Sequence, residues 1–161
     1  MRPVIGYRAW HWDGYSEQLK ALTLRNYSWH HGINYAECYR SLNTGLEPCL
    51  SIPGPSSACA CGFNAWYSLR LLLKEVKTKQ VKSDLVLGAI AGAGDFQLHS
   101  KGFRSEQAQI LAFYVTECYR TAPAIQAAEK LGVPVFLNAE ELEEYVSRYG
   151  ERRTADISRH F

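Results

Sequence analysis

The chain lacks any run approaching the roughly 20 apolar residues that a bilayer-spanning helix requires, so no membrane-crossing segment is predicted. Its first dozen residues carry no long apolar core behind a basic start. No secretion signal is legible there, and a cytoplasmic location is the expectation. An excess of one charge is also missing: 18 Lys and Arg face 16 Asp and Glu, a net +2. That balance gives no bulk electrostatic case for a nucleic-acid coat protein or a membrane-surface binder. The basic residues of 74–82 and 148–159 read as solvated faces and a tail. Gly88, Gly92 and Gly94 lack the spacing and the following helix of a P-loop or dinucleotide fingerprint, and read as turn glycines.

What is present fits one domain. At 161 residues, 47% hydrophobic and 21% charged, the chain is long enough for one buried core and short for two. The expected organisation is a single α+β domain over 1–150, an antiparallel sheet packed with two or three helices, and a mobile tail over 151–161. A strand over 4–12 turns at Asp13-Gly14 into a second strand near 19–24, and 29–32 is loop-like. The period of 36–40 does not decide between helix and strand. Residues 43–58 hold too many Gly, Pro and Ser for regular structure. The helical spacing of Ala65, Leu69, Leu72, Leu73 and Val76 predicts a helix over 63–77. A strand over 85–91, a turn at 92–95, a return over 96–99 and a strand over 108–115 form a meander. A helix over 124–131 stops at Gly132, 133–137 is β-like, and Asn138 caps a last helix over 139–149.

Cysteine is where chemistry concentrates. Four of the five cysteines, Cys38, Cys49, Cys59 and Cys61, fall around the Pro/Gly/Ser-rich loop, and the last two form Cys59-Ala60-Cys61-Gly62. In a reducing compartment such a set points to metal binding or reactivity rather than a disulfide framework. Zinc takes four thiolate or imidazole ligands in a tetrahedron, so these four cysteines are the expected Zn2+ site. His99 is the first reserve ligand, then His30 and His31. Cys118 lies in an apolar run and reads as core. The catalytic alternative, a Cys-dependent hydrolase or transferase, uses Cys61 as a thiolate favoured by the dipole of the helix expected after it. His99 would be its base, with Asp95 or Asn64 as its orienter. Several unrelated buried thiols are the plain alternative to both.

Aromatic residues are the second resource. Four Trp and ten Tyr exceed what a small core needs, and Trp10, His11, Trp12, Tyr15, Trp29, His30 and His31 precede the cysteine loop. Gly6-Tyr7-Arg8-Ala9 is echoed by Gly102-Phe103-Arg104-Ser105. A glycine, an aromatic and an arginine at a strand start present a guanidinium beside a flat ring, which suits stacking and anion recognition. Arg8, Trp10 and Arg104 are therefore the candidate ligand-binding residues. An arginine packed over an aromatic for stability alone is the competing explanation.

The blocks Gly6-Tyr7-Arg8-Ala9-Trp10, Cys59-Ala60-Cys61-Gly62-Phe63-Asn64-Ala65 and Gly102-Phe103-Arg104-Ser105-Glu106-Gln107-Ala108 resemble recurring blocks of small bacterial and phage proteins. The resemblance spans roughly residues 5 to 150, and no activity comes with it. Many such sequences carry a histidine where this chain has Cys49, so the resemblance implies that Cys49 takes that ligand role or that the site has changed. The expected function is a zinc-stabilised, non-enzymatic binding module for an anionic, nucleotide-like ligand or a nucleic-acid segment. The Cys-dependent enzyme and a protein–protein adaptor are its alternatives.

Overall fold

The computed structural model describes residues 2–22, 27–37, 61–78, 84–116 and 121–153. Among them run eight strands and three helices: β1 (Val4–Asp13), β2 (Gln18–Ala21), β3 (Ser28–Trp29), β4 (Ile33–Tyr35), β5 (Phe63–Trp66), α1 (Leu69–Thr78), β6 (Leu85–Leu98), β7 (Gly102–Tyr114), α2 (Thr121–Leu131), β8 (Val135–Phe136) and α3 (Ala139–Val146). The mixed α+β class with three helices agrees with the sequence. No helix among the described residues is long and apolar enough to cross a membrane.

Strand pairing closes on itself. β1 pairs antiparallel with β6 from Val4↔Gly92 to His11↔Leu85, β6 pairs with β7, β7 with β5, and β5 returns to β1 through Tyr7↔Trp66. The four strands make a small barrel. β2 and β3 extend from the far half of β1, β4 lies along β7, and β8 adds in parallel at Phe113 and Tyr114. Such closure is possible because β6 and β7 bend, with register shifts at Ala89/Ile90 and between Ala93 and Phe96.

The second shift corrects the expected turn at 92–95. Gly94 does take the left-handed φ of +75° that the turn reading called for. Its neighbours nevertheless stay on one partner, Ala93 opposite Gln107 and Phe96 opposite Ser105, so the glycine makes a bulge in one long strand. The real hairpin comes later, where the His99 N–H donates to the Gly102 carbonyl.

The expected helix over 63–77 is also corrected. Phe63 and Ala65 are buried while Asn64 is exposed, a two-residue alternation that makes a strand. The helix starts only at Leu69, after Ser68, whose Oγ accepts from the Leu71 N–H at 3.2 Å. The Ala65–Leu69 interval matches a helical period by coincidence, and the serine is the signal that dates the helix correctly. Thiolate activation at Cys61 by a following helix dipole therefore loses its basis, because a strand follows Cys61.

Two cores flank β1. Val4, Trp10 and Trp12 pack with Phe63, Phe103, Phe113 and the small face of α2 (Ala124, Ala127, Ala128). Ile5, Tyr7 and Ala9 face the other way, onto Leu72 and Val76 of α1 and Leu142 and Val146 of α3. Asn138 caps α3 as expected, accepting from Glu140 and Glu141, and the helix ends three residues earlier than predicted, at Val146. Beyond it the chain is still held: the Glu151 N–H donates to Pro3, the Ile5 N–H to Glu151, and Arg152 pairs with Glu143 at 2.8 Å. The expected tail is thus anchored at its first residues, and 154–161 lie outside the described residues.

Candidate ligand-binding site

Alternation along β1 places Gly6, Arg8, Trp10 and Trp12 on one face. A Cβ at Gly6 would meet Ala65 and Phe103, so this face is the barrel interior, and Arg8 enters it. The guanidinium carbon lies 4.5 Å from the ring centre of Trp29 and 5.5 Å from that of Trp10. The two indoles stand nearly perpendicular, 5.5 Å apart, and Arg8 occupies the corner between them. Trp29 is held there by a turn built on the buried Asn34, which accepts from the His30 N–H and donates to the His30 and Gly32 carbonyls.

This corner is electrostatically unfinished. Among the described residues no carboxylate pairs with Arg8, and its buried Nε meets no acceptor. Trp10 and Trp29 are buried, and their Nε1 atoms have no partner either. Trp12, on the same face of β1, differs: its Nε1 donates to Gln126 at 2.8 Å. Burial pushes the Arg8 pKa down to about 9, so the group is still fully charged near neutrality. The adjacent Tyr27 is pushed up to about 12, by burial first and then by the charge of Glu37, with Arg8 acting in the opposite sense. Its hydroxyl donates to the Tyr35 carbonyl at 3.1 Å.

A cavity of about 410 Å³ adjoins Arg8. It exists because two strands share one edge of β1 and do not meet: β5 pairs at Tyr7, β2 begins at Trp10, and Arg8 and Ala9 fall in the gap. The Trp12 N–H points toward β6 and the Ile5 N–H away from it, so by alternation the main chain of Ala9 faces the gap. Arg8, Asn64, Trp66, Glu75, His99 and Lys101 are among the lining residues. Arg8 is half-buried overall, forms part of the cavity wall, and has its Nε sealed.

The residues proposed from sequence are distributed unevenly. Arg8 and Trp10 meet as expected, but Trp10 is fully buried and has no face left for a ligand to stack on. Arg104 does not join them. It follows Phe103 on β7, so it projects from the opposite face, where Nη1 donates to the Cys61 carbonyl at 3.0 Å. The echoed Gly-aromatic-Arg blocks share a local pattern and not a site, since β1 and β7 pair through β5 and β6 rather than with each other. Half-buried Trp66 is the indole at the cavity. Only its place in an alternating strand, missed while 63–77 read as a helix, could have announced it.

Cys61 and His99 are not brought together. Phe63 pairs with Ser105 and Trp66 with Gly102, so Cys61 lies beyond one end of β5 and His99 beyond the other. At about 3.3 Å per residue the two are separated by roughly 15 Å. Asp95 stands four residues from His99 in the same extended stretch, some 13 Å on the same spacing, and its N–H donates to the Glu106 carboxylate at 3.1 Å. His99 is instead a wall of the cavity. Of the zinc set, Cys61 is buried, while Cys38, Cys49 and Cys59, like Cys118, lie outside the described residues. Among the described residues no group of three or more His, Cys, Asp or Glu could hold a metal ion. No family model matches the chain, and neither the curated proteins nor the solved structures contain a match.

Proposed function

We propose that this domain is a non-enzymatic binding module whose cavity takes a small anionic, nucleotide-like ligand. The observation that carries the reading is Arg8, a half-buried arginine with a sealed Nε in an indole corner and, among the described residues, no carboxylate paired with it. An unpaired buried charge costs several kcal/mol, and a bound anion offsets that cost. Lys101 adds positive charge at the same cavity. Trp66 supplies a flat apolar wall, and Asn64 supplies an acceptor for amino or hydroxyl groups. The volume falls within the roughly 300–1,000 Å³ of small-molecule sites. With a net charge of only +2, a small ligand is favoured over a nucleic-acid segment.

The test is a thermal-shift screen of nucleoside monophosphates, cyclic nucleotides, short oligonucleotides and inorganic phosphate. A ligand at a hundred times its Kd stabilises by about 2.7 kcal/mol, which for a domain of this size raises Tm by about 5–10 °C. Lys101→Ala, at an exposed position, is expected to weaken the hit about fivefold without lowering the Tm of the free protein. A panel in which no anion moves Tm removes the reading.

We also propose that Cys38, Cys49, Cys59 and Cys61 bind one zinc ion that holds the cysteine loop. Elemental analysis of purified protein should then find about one zinc per chain. Cys59→Ser should lower metal content and Tm together, because metal binding is coupled to folding, while Cys118→Ser leaves the content unchanged. Folded, metal-free protein with free thiols counts against the site.

A further inference from the structure

Where β5 parts from β1, the sheet leaves a main-chain donor and a main-chain acceptor unjoined. The Ile5 N–H turns away from β6 to Glu151, so by alternation the main chains of Tyr7 and Ala9 turn the same way, toward β5 and β2. On β5 the Tyr67 N–H donates to the Lys101 carbonyl on the β7 side, so the main chains of Trp66 and Asn64 face β1. Tyr7 pairs with Trp66, and the next antiparallel step would join the Ala9 N–H to the Asn64 carbonyl. That step is not taken: β5 pairs with β1 at Tyr7 alone, and β2 takes up the edge only at Trp10. Among the described residues the Ala9 N–H finds no other main-chain acceptor, although Ala9 is only 6% exposed. Few native structures leave a buried main-chain N–H open in this way. The space beside it is the cavity, whose walls take Leu22 from the β2 flank of the gap and Asn64, Ala65 and Trp66 from the β5 flank.

We propose that the base of the ligand enters this gap edge-on and stands in for the missing strand pair, accepting from the Ala9 N–H and donating to the Asn64 carbonyl. The inference rests on the reading of the cavity as a nucleotide-like ligand site and adds how the base is recognised. The gap asks for a flat ring with an acceptor beside a donor, which is the hydrogen-bonding edge of a nucleobase. Trp66, on the β5 flank, offers its indole to the face of the same ring, and Lys101 is left for the phosphate. Both edge contacts come from main chain, so the recognition depends on where two strands part and not on which side chains stand at 9 and 64.

The experiment titrates the protein with three probes and follows its main-chain amides by ¹H–¹⁵N correlation NMR. The probes are the best mononucleotide of the screen, the same compound methylated at the donor nitrogen of its base, and ribose 5-phosphate. Methylation keeps the charge and the ring and removes the donor, which should weaken binding about tenfold or more. Ribose 5-phosphate keeps the charge without a base and should bind more weakly still. The Ala9 amide signal should move downfield with the Kd of the mononucleotide, and its proton should exchange more slowly in the complex. The amide of Leu142, bonded within α3 to Asn138, should stay in place. Equal affinity for the methylated compound, or an Ala9 amide that does not move, overturns the edge contact and leaves the cavity reading standing. A hit confined to inorganic phosphate and ribose 5-phosphate does the same. No binding by any anion overturns both.

Discussion

Arg8→Met is expected to melt above the natural protein and to lose ligand binding. A buried charge replaced by an apolar side chain of similar length is commonly neutral or stabilising by about 1–4 kcal/mol, and Arg8 has no carboxylate to orphan. Against this stands the loss of its attraction to Trp10 and Trp29, about 0.5–2 kcal/mol for each such contact. Methionine recovers part of that, because its sulfur packs well at ring edges. The net expectation is a gain of about 1 kcal/mol, or roughly 2–4 °C in Tm. An arginine kept for stacking alone predicts the opposite, a lower Tm. Calorimetric unfolding and titration of the screen's hit decide between them. A less stable Arg8→Met that still binds with full affinity removes Arg8 from the site.

Gly102→Ala is expected to cost about 3 kcal/mol or more, because an added Cβ strikes main chain rather than a movable side chain. The Cβ would lie 2.1 Å from the Ala65 carbonyl oxygen, 3.1 Å from its carbon and 3.2 Å from Trp66 Cα. Relief requires β5 to move away from β7. β5 closes the barrel through the single pair Tyr7↔Trp66 and carries Asn64 and Trp66 to the cavity. The expected loss of Tm, about 6–12 °C, should therefore come with weakened ligand binding. Gly14→Ala is the matching control, since its Cβ would meet only Trp12 Nε1 at 3.8 Å. A Gly102→Ala protein within 1 kcal/mol of the parent shows that β5 and β7 do not pair in this register.

The positions of single elements were legible where one physical signal acted alone. Asp13 turns β1 into β2 by accepting from the Tyr15 and Ser16 N–H groups, and Asn138 caps α3 with its own side chain. Both are interactions with residues two or three positions away. The errors arose where two signals competed. Phe63–Trp66 carries apolar spacing that extends the α1 pattern, yet its alternation and aromatic content suit a strand already paired with β7. Gly94 marks a backbone conformation correctly, but that conformation serves a turn and a bulge equally well.

For the site, the sequence by itself determined the chemical inventory: an arginine two residues before a tryptophan on one strand face. Strand alternation is a local rule, so Arg8 and Trp10 sharing a face was readable before any fold was known. Only the tertiary structure decided that Trp29 completes the corner, that Arg104 turns to the Cys61 carbonyl, and that Cys61 and His99 stand at opposite ends of β5. Each of those outcomes depends on which strands close the barrel and in what register. A one-residue change of register sends every side chain of a strand to the other face. That choice is made by contacts distant in sequence, such as Tyr7 with Trp66 and Trp66 with Gly102, and no local pattern encodes it.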